Sequence, residues 1–222
     1  MKLVTFQTKE ALDVLKKTGI LITNEAYIDL KKYSVPYDWI VHEMRQKICP
    51  RNGERYPIWA WAKCGSSIAP KKKKNRLNVA QKHLVRITFE KTVEKVLLSD
   101  YMAYSFVLNG QPVPKTSTEY AQFLKKIQKE NIPLEALKSV VRNEKSLPKV
   151  MKLFPKIKQT WERIFDLKSN VHQACVWNIK MSEVRKVEML NDSKYMYGSM
   201  NAKKSDGSRP DWKKRYLDFL PE

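Results

Sequence analysis

The segment LVRITFE, residues 84–90, decides the fold class, because it is the most clearly marked β-strand in the chain. β-Branched and aromatic residues of this kind favour a pleated, half-buried strand. Residues 2–7 (KLVTFQ) alternate as a strand does, and residues 56–62 (YPIWAWA) are predicted to form a buried strand of mixed aromatic residues. A further strand is predicted for residues 171–180 (VHQACVWNIK), with residues 184–190 as its partner.

Helices are predicted between these strands, and capping residues mark where several of them begin. Thr8 is the expected N-cap of a helix that ends at Gly19, and Thr116–Glu119 is a capping box. Ser99 is the expected cap of an aromatic helix that runs to Asn109. Further helices are predicted over residues 118–129, 133–143 and 148–165. The sequence thus predicts an α+β fold, with a small mixed or antiparallel sheet of N- and C-terminal strands and helices on its faces. The alternative is another α+β single domain.

The length of 222 residues suits one domain with an appendage. We expect a single α+β domain over residues 1–190, with a lysine-rich loop near residues 65–78, and a polar, basic C-terminal tail over residues 191–222. No apolar run approaches the roughly 20 residues of a membrane-spanning helix, and the first residues show no secretion signal. The expected location is the cytoplasm, of a bacterium or a phage-infected host cell, with no membrane association.

Positive charge is the strongest compositional signal. The 43 Lys and Arg residues exceed the 23 Asp and Glu residues, so the formal net charge is +20. Basic residues concentrate in an acid-free stretch between Glu54 and Glu90 and again over residues 138–168. A charge of this size favours an anionic partner, and we predict nucleic acid or a nucleoprotein complex. The predicted nucleic-acid-binding residues are Lys71, Lys72, Lys73, Lys74, Arg76, Lys82, Arg86, Lys145, Lys149, Lys152 and Lys156.

Two plainer explanations of this charge stay open. Lysine-rich surfaces also serve to solvate ordinary soluble proteins, and PKKKKNR, residues 70–76, resembles a nuclear-import signal, a pattern that matches many unrelated proteins. The sequence contains no helix-turn-helix spacing, RNP aromatic motif or zinc-ligand set that would identify a type of nucleic-acid-binding domain.

Familiar catalytic motifs are missing from the sequence. It has no Walker loop, no GxGxxG, no GxSxG and no Cys or His spacing for a metal, so no metal is expected. Cys175 lies within a predicted strand and is expected to be a buried thiol rather than a nucleophile. Glu162 lies in WERIFD, residues 161–166, where a salt bridge at a helix end is favoured over a site. Gln173 is either a polar group that enters a pocket or the donor of a structural amide bond.

Several motifs together resemble a known family. LVTFQT, YPIWAW, LLSD, WERIFDL and QAxxWxI occur in order between residues 2 and 190. This set is similar to an uncharacterised family of bacterial and phage proteins known as a domain of unknown function. The resemblance implies a bacterial or phage source and no particular activity.

The order of elements is also similar to that of ADP-ribosyltransferases that modify nucleic acids. This resemblance implies NAD as a cofactor, with Gln7 and Thr8 touching it and with Trp59 and Trp61 lining the cleft. Gln173 would mark the late strand on which such enzymes carry a glutamate. The expected glutamate position holds Cys175, so the resemblance leaves Glu162 or Asp100 to supply a carboxylate.

Three functions follow from these observations. The first is an NAD-dependent transferase that acts on RNA or DNA. The second is a non-catalytic binding protein, for example a phage-type inhibitor or accessory factor that contacts nucleic acid or a nucleoprotein complex. The third is a protein-interaction scaffold, in which the six Trp residues mark a contact patch. The sequence does not specify an oligomeric state or settle whether the chain is an enzyme.

Overall fold

The architecture consists of a six-stranded sheet, a separate two-stranded sheet and helices. The computed structural model describes residues 1–25, 28, 30–50, 53–69, 84–190 and 212–221. In spatial order, the strands of the larger sheet are β5 (Leu97–Asp100), β6 (Val171–Val176), β3 (Ile58–Cys64), β1 (Lys2–Thr8), β4 (Leu84–Glu90) and β8 (Val184–Leu190). The pairings of β3 with β6, β1 with β3, β1 with β4, and β4 with β8 are antiparallel. The strands β2 (Ile20–Ile22) and β7 (Asn178–Lys180) form the two-stranded sheet. The fold is therefore α+β, as predicted.

The described residues group into two compact units. The sheet unit lies within residues 1–26, 44–98 and 171–211, and the helical unit lies within residues 27–43, 99–170 and 212–222. Residues 70–78 of the predicted lysine-rich loop near residues 65–78, and residues 191–211 and 222 of the predicted tail over residues 191–222, lie outside the described residues.

The sheet unit buries its apolar core against one face of the larger sheet, which we call the core face. Its buried members are Leu3, Leu12, Leu15, Leu21, Ile58, Ala60, Val85, Ile87, Phe89, Ala174, Val176 and Ile179. Helix α1 (Lys9–Thr18) contributes Leu12 and Leu15 to this core. Oγ1 of Thr8 accepts a hydrogen bond from the Ala11 N–H, and Gly19 ends the helix with φ of +77°, which confirms both predicted caps.

The remaining helices are α2 (Leu30–Lys47), α3 (Tyr101–Val107), α4 (Ser117–Lys129), α5 (Leu134–Val141), α6 (Pro148–Gln159) and α7 (Trp212–Leu217). Trp161, which is fully buried, lies at the centre of the helical unit. Its ring makes edge contacts with Trp39 at 5.4 Å and with Phe154 at 5.6 Å, measured between ring centroids. Its indole N–H donates to the Gln111 carbonyl at 3.0 Å, so the one polar atom of the ring is satisfied.

Four expectations about elements are wrong in detail. β8 pairs with β4 rather than with β6, because alternation predicts a strand but not its partner. The predicted strand 171–180 divides at Trp177 into β6 and β7, and these strands belong to different sheets. The predicted helix 148–165 ends at Gln159, and residues 161–166 form a 3₁₀ helix. The cap of α3 is Asp100 rather than Ser99.

Candidate anion-binding cavity

The second face of the larger sheet, which we call the outer face, carries a cavity of about 640 Å³. Directly opposed residues of an antiparallel pair share a face, so the register defines rows of side chains across the sheet. One row places Val4 opposite Thr88, which is in turn opposite Lys186. The next row places Arg86 opposite Glu188. This cavity, which we call the sheet-face cavity, is lined by Lys2, Val4, Ser67, Ile68, Ala69, Arg86, Thr88, Arg185, Lys186 and Glu188.

A β-bulge brings two consecutive basic residues to this cavity. Thr88 pairs with Lys186 while Phe89 pairs with Val184, so Arg185 is an extra residue in β8. A bulge breaks the alternation of a strand and re-aims the inserted side chain. Arg185 and Lys186 therefore both line the cavity, although neighbouring residues of a regular strand point to opposite faces.

The opposite wall of the cavity comes from the turn that follows β3. Gly65 has φ of +60°, a left-handed conformation that favours glycine, and the Cys64 and Ser67 backbones exchange two hydrogen bonds across the turn. The turn leads the chain to Ile68 and Ala69, which line the cavity. Val4, Ala69 and Thr88 are 1%, 3% and 6% exposed, so they form a mainly apolar floor.

Positive side chains outnumber negative ones in the lining of the cavity. Among the described residues, four basic side chains and one carboxylate, Glu188, line the cavity. Glu188 binds Arg86 at 2.9 Å and Lys186 at 3.3 Å. Arg185 binds Glu90 at 2.9 Å, and this hydrogen bond holds the pKa of the Glu90 carboxyl below its ordinary value. Nε of Arg86 is buried and has no hydrogen-bond partner among the described residues. The lining as a whole favours an anionic ligand.

Of the predicted nucleic-acid-binding residues, Arg86 lies in this cavity. Three others, Lys149, Lys152 and Lys156, are exposed along α6 in the helical unit, and Lys145 is exposed just before that helix. Lys71, Lys72, Lys73, Lys74, Arg76 and Lys82 lie outside the described residues.

Sequence reasoning missed Lys2, Arg185 and Lys186 as members of the basic wall. The paired basic residues 185 and 186 within a predicted strand were a usable signal. Their significance depends on the pairing of β8 with β4, because that pairing brings them next to Arg86. The two basic stretches of the sequence, between Glu54 and Glu90 and over residues 138–168, do not show which strands pair.

The residues assigned to NAD do not form one cleft. Trp61 pairs with Val4 and with Gln173, and these pairings place all three side chains on the outer face. Gln7 pairs with Val85 of the core, so it lies on the other face, where its Nε2 donates to Thr5 Oγ1 at 2.8 Å. Trp59 pairs with Cys175 and shares the outer face, and Thr8 Oγ1 is used as a helix cap. A single NAD molecule cannot contact the Gln7 side chain and the Trp61 and Gln173 side chains within one cleft, because the sheet lies between them.

The candidate catalytic carboxylates belong to the helical unit. Asp100 is fully buried, and its Oδ1 accepts from the Met102 and Ala103 N–H groups at 2.9 and 3.0 Å. The Ser169 hydroxyl donates to the same oxygen at 2.8 Å, and the Ser169 N–H donates to Oδ2. These contacts make Asp100 a structural cap. Glu162 is exposed, and the salt bridge expected near it joins Arg163 to Glu119 at 2.8 Å.

Cys175 occupies the position at which the transferase resemblance expects a glutamate. Its side chain is fully buried in β6, and burial raises the pKa of the thiol well above its ordinary value. The burial predicted from its place in the strand is confirmed, and burial disfavours the thiolate that a nucleophile requires.

A second cluster of charges in the sheet unit is built differently. We call Lys91, Glu183, Asn178 and Glu54 the Lys91 cluster; it borders a cavity of about 310 Å³. Nζ of Lys91 donates to both carboxylate oxygens of Glu183, at 2.9 and 2.7 Å, and to the backbone and side-chain oxygens of Asn178, at 2.9 and 3.0 Å. Nδ2 of Asn178 donates to Glu54 at 2.6 Å. Burial lowers the pKa of Lys91, and Glu183 opposes that effect. The ammonium donors are saturated, which is typical of a structural clamp.

The described residues lack two other kinds of feature. No helix in them is long and apolar enough to cross a membrane. No group of three or more His, Cys, Asp or Glu residues in the same ranges could hold a metal ion.

Comparison with known proteins gives one family. Neither the curated proteins nor the solved structures compared with the chain gave a match. A family match covers residues 2–185, which confirms the resemblance to a domain of unknown function, and the chain therefore belongs to the family described as Domain of unknown function (DUF3841).

Proposed function

We propose that the protein binds nucleic acid through phosphate contacts at the sheet-face cavity. The observation that carries this proposal is the wall of Lys2, Arg86, Arg185 and Lys186, opposed within the lining by Glu188 alone among the described residues. Arginine presents a fork of donors that matches phosphate oxygens, and lysine adds a mobile point charge. Phosphate contacts of this kind supply affinity without reading sequence.

The charge of the whole chain favours a polyanion over a small anion. A formal charge of +20 extends well beyond the four cations of the cavity. The exposed lysines 149, 152 and 156 on α6 provide a second basic surface in the helical unit. A chain of phosphates can use repeated positive charges, and each contact releases counterions from the nucleic acid. The proposal thus takes the form of a non-catalytic binding protein that contacts nucleic acid or a nucleoprotein complex, with a bacterial or phage source as expected from the family resemblance.

The test is the salt dependence of binding by a matched pair of variants. Arg185→Ala/Lys186→Ala removes two charges from the cavity, and Lys16→Ala/Lys17→Ala removes two exposed charges from the end of α1. Binding of a fluorescein-labelled oligonucleotide of mixed sequence is measured by anisotropy between about 50 and 200 mM KCl. The slope of log K against log salt should flatten by about 1.4–1.8 in the cavity variant, since each lost contact removes roughly 0.7–0.9. The control variant should keep the wild-type slope.

A flat salt response of the wild-type protein contradicts the proposal. So does an equal loss of slope in both variants, because that result assigns binding to net charge rather than to the cavity. Thermal unfolding of each variant checks that the fold is intact; the substituted side chains are exposed, so little change is expected.

A second candidate function is that the protein also modifies the nucleic acid it binds, by NAD-dependent transfer of ADP-ribose to RNA or DNA. It rests on the faint family resemblance, and the separation of Gln7 from Trp61 and Gln173 by the sheet argues against one NAD cleft. This second function is tested by incubating the protein with NAD and an oligonucleotide and measuring the oligonucleotide mass. A gain of one ADP-ribose unit supports transfer, and an unchanged mass under conditions of full binding contradicts it.

A further inference from the structure

A groove of about 280 Å³ lies in the helical unit, between α4, α6 and the segment that precedes α4; we call it the α4–α6 groove. Its accessible apolar surface comes from Pro112 and Phe123, which are half-buried. Tyr120, Leu153 and Ile157 also line the groove, but they are only 2–9% exposed and serve as its support. The volume lies just below the roughly 300–1,000 Å³ of small-molecule sites, which favours a side chain of a larger partner over a complete small molecule.

Hydrogen bonds hold the two ends of the groove in place. At one end, the Val113 N–H donates to Thr160 Oγ1 at 2.9 Å, and Arg163 donates to the Val113 carbonyl at 2.8 Å. At the other end, Nζ of Lys149 in α6 donates at 3.3 Å to the carbonyl of Glu130, the C-cap of α4. A groove whose walls are already fixed loses little conformational entropy when a partner binds.

The groove presents two positive charges that have no counter-charge. Lys126 of α4 and Lys156 of α6 are exposed and line the groove, and neither has an ion-pair partner among the described residues. The carboxylate in the described lining is Glu119, whose two oxygens accept from Arg163 at 2.8 and 3.0 Å. Because Arg163 compensates Glu119, the charges of Lys126 and Lys156 remain, and they complement carboxylates on a partner.

We infer that the α4–α6 groove docks an acidic amphipathic segment of a partner protein. An apolar side chain of that segment lies against Phe123 and Pro112. Its carboxylates bind Lys126 and Lys156, one on each helix. Apolar anchors within a polar rim are typical of protein interfaces, and amphipathic segments commonly bind in grooves of this kind. The inference goes beyond the proposed function and does not depend on it, since the groove belongs to the helical unit and the sheet-face cavity to the sheet unit.

A nucleic-acid strand fits this groove less well than an acidic protein segment. A strand carries a phosphate at every nucleotide and is bound by a run of cations, whereas the described lining holds two lysines and a carboxylate. Phe123 is half-buried and stacks on Tyr120, with ring centroids 6.2 Å apart, so it offers a base only part of its ring. Lys156 is thus assigned to a protein carboxylate, while Lys149 and Lys152 lie outside the lining and stay available to nucleic acid.

The experiment selects peptides and then tests where they bind. A displayed library of random linear peptides is selected against the full chain, and the enriched peptides are labelled with fluorescein and titrated by anisotropy. Phe123→Ala removes the apolar contact. Leu124→Ala is its control, because Leu124 is a half-buried neighbour on α4 that does not line the groove.

A second pair of variants tests the charges. Lys126→Glu/Lys156→Glu reverses both lysines of the groove. Lys125→Glu/Lys158→Glu is the matched control, because it reverses one exposed lysine on each of the same helices outside the lining. Thermal unfolding checks the fold of every variant, and the reversed lysines are all exposed, so this pair keeps the test decisive even if Phe123→Ala is destabilised.

The enriched peptides should combine Asp or Glu with a large apolar residue. Phe123→Ala and the groove reversal should each weaken their binding about tenfold or more. Both controls should stay within about twofold of the wild-type affinity at about 150 mM KCl, where distant charges are screened.

A selection that enriches no such peptide overturns the inference, and so does equal binding to each groove variant and its control. Oligonucleotide binding that falls further in the groove reversal than in its charge control assigns the groove to nucleic acid and also overturns the inference. A wild-type protein that binds the peptides but shows no salt-dependent oligonucleotide binding supports the inference and removes the proposed function.

Discussion

The sheet-face cavity and the Lys91 cluster both contain lysine or arginine together with carboxylates, but they differ in burial and in the balance of positive and negative charge. In the Lys91 cluster, Lys91 is 5% exposed, and its ammonium group has an oxygen partner for each of its N–H groups. In the sheet-face cavity, Arg185 and Lys186 are exposed, and the cations of the lining exceed its one carboxylate among the described residues. Saturated, buried charges hold a fold together, whereas exposed charges in excess are available to a ligand.

The largest effect that this contrast predicts is on stability. Lys91→Ala leaves Glu183 without its buried partner and should lower the free energy of unfolding by roughly 3–5 kcal/mol. Urea unfolding measures this change, and the oligonucleotide affinity of the folded fraction should be unaltered. Lys95→Ala is the control, because Lys95 borders the same cavity but is exposed, and it should change stability by less than about 0.5 kcal/mol. Equal effects of the two substitutions would contradict the structural role of the cluster.

Asp100 is a buried, fully hydrogen-bonded carboxylate of the helical unit, and its replacement should give the next largest loss of stability. Asp100→Ala removes the acceptor of four hydrogen bonds and should destabilise by roughly 2–4 kcal/mol, since hydrogen bonds to a buried charge are individually strong. Asp100→Asn keeps one acceptor oxygen for the helix cap and should restore part of that loss. Chemical denaturation checks both variants. A catalytic Asp100 would instead leave stability nearly unchanged in either variant.

The smallest effect should come from the acidic side chain of the cavity. Glu188→Gln removes the lining carboxylate that repels phosphate and frees Arg86 and Lys186 from their ion pairs. We expect oligonucleotide affinity to rise about three- to fivefold, roughly 1 kcal/mol, because one repulsive charge is lost at the site. Glu10→Gln, at the start of α1, is the matched control and should leave affinity unchanged. A fall in affinity on Glu188→Gln would mean that Glu188 positions Arg86 for binding rather than competing with the ligand.

Parts of the fold that depend on local signals were predictable. LVRITFE forms β4 over the predicted residues, and residues 2–7, whose alternation predicts a strand, lie within β1. The capping roles of Thr8 and Gly19 depend on a side-chain oxygen and on a missing Cβ, which are properties of single residues. The aromatic motifs also indicated a family resemblance from the sequence, because recognising a motif requires no knowledge of which residues are in contact.

The site was harder to predict, because it depends on which strands meet. Arg86 was predicted from charge, but its neighbours Arg185 and Lys186 are about 100 residues away in sequence and became visible through the β4–β8 ladder. The transferase resemblance assigned Trp61 and Gln7 to one cleft, whereas the register of Trp61 with Val4 and of Gln7 with Val85 places their side chains on opposite faces of the sheet. Asp100 was a candidate acid from the sequence, and in the structure it caps α3 through the Met102 and Ala103 N–H groups and also accepts from Ser169.

The sequence by itself determined the α+β class, the caps of α1 and α4, the buried thiol of Cys175, the resemblance to a domain of unknown function and the excess of positive charge. Tertiary structure alone decided where part of that charge lines a cavity, through the pairing of β8 with β4, the bulge at Arg185 and the turn at Gly65. The physical reason is the range of the interactions. Propensity and capping act within a few residues, whereas an electrostatic wall is the sum of side chains that strand register brings together from distant parts of the chain.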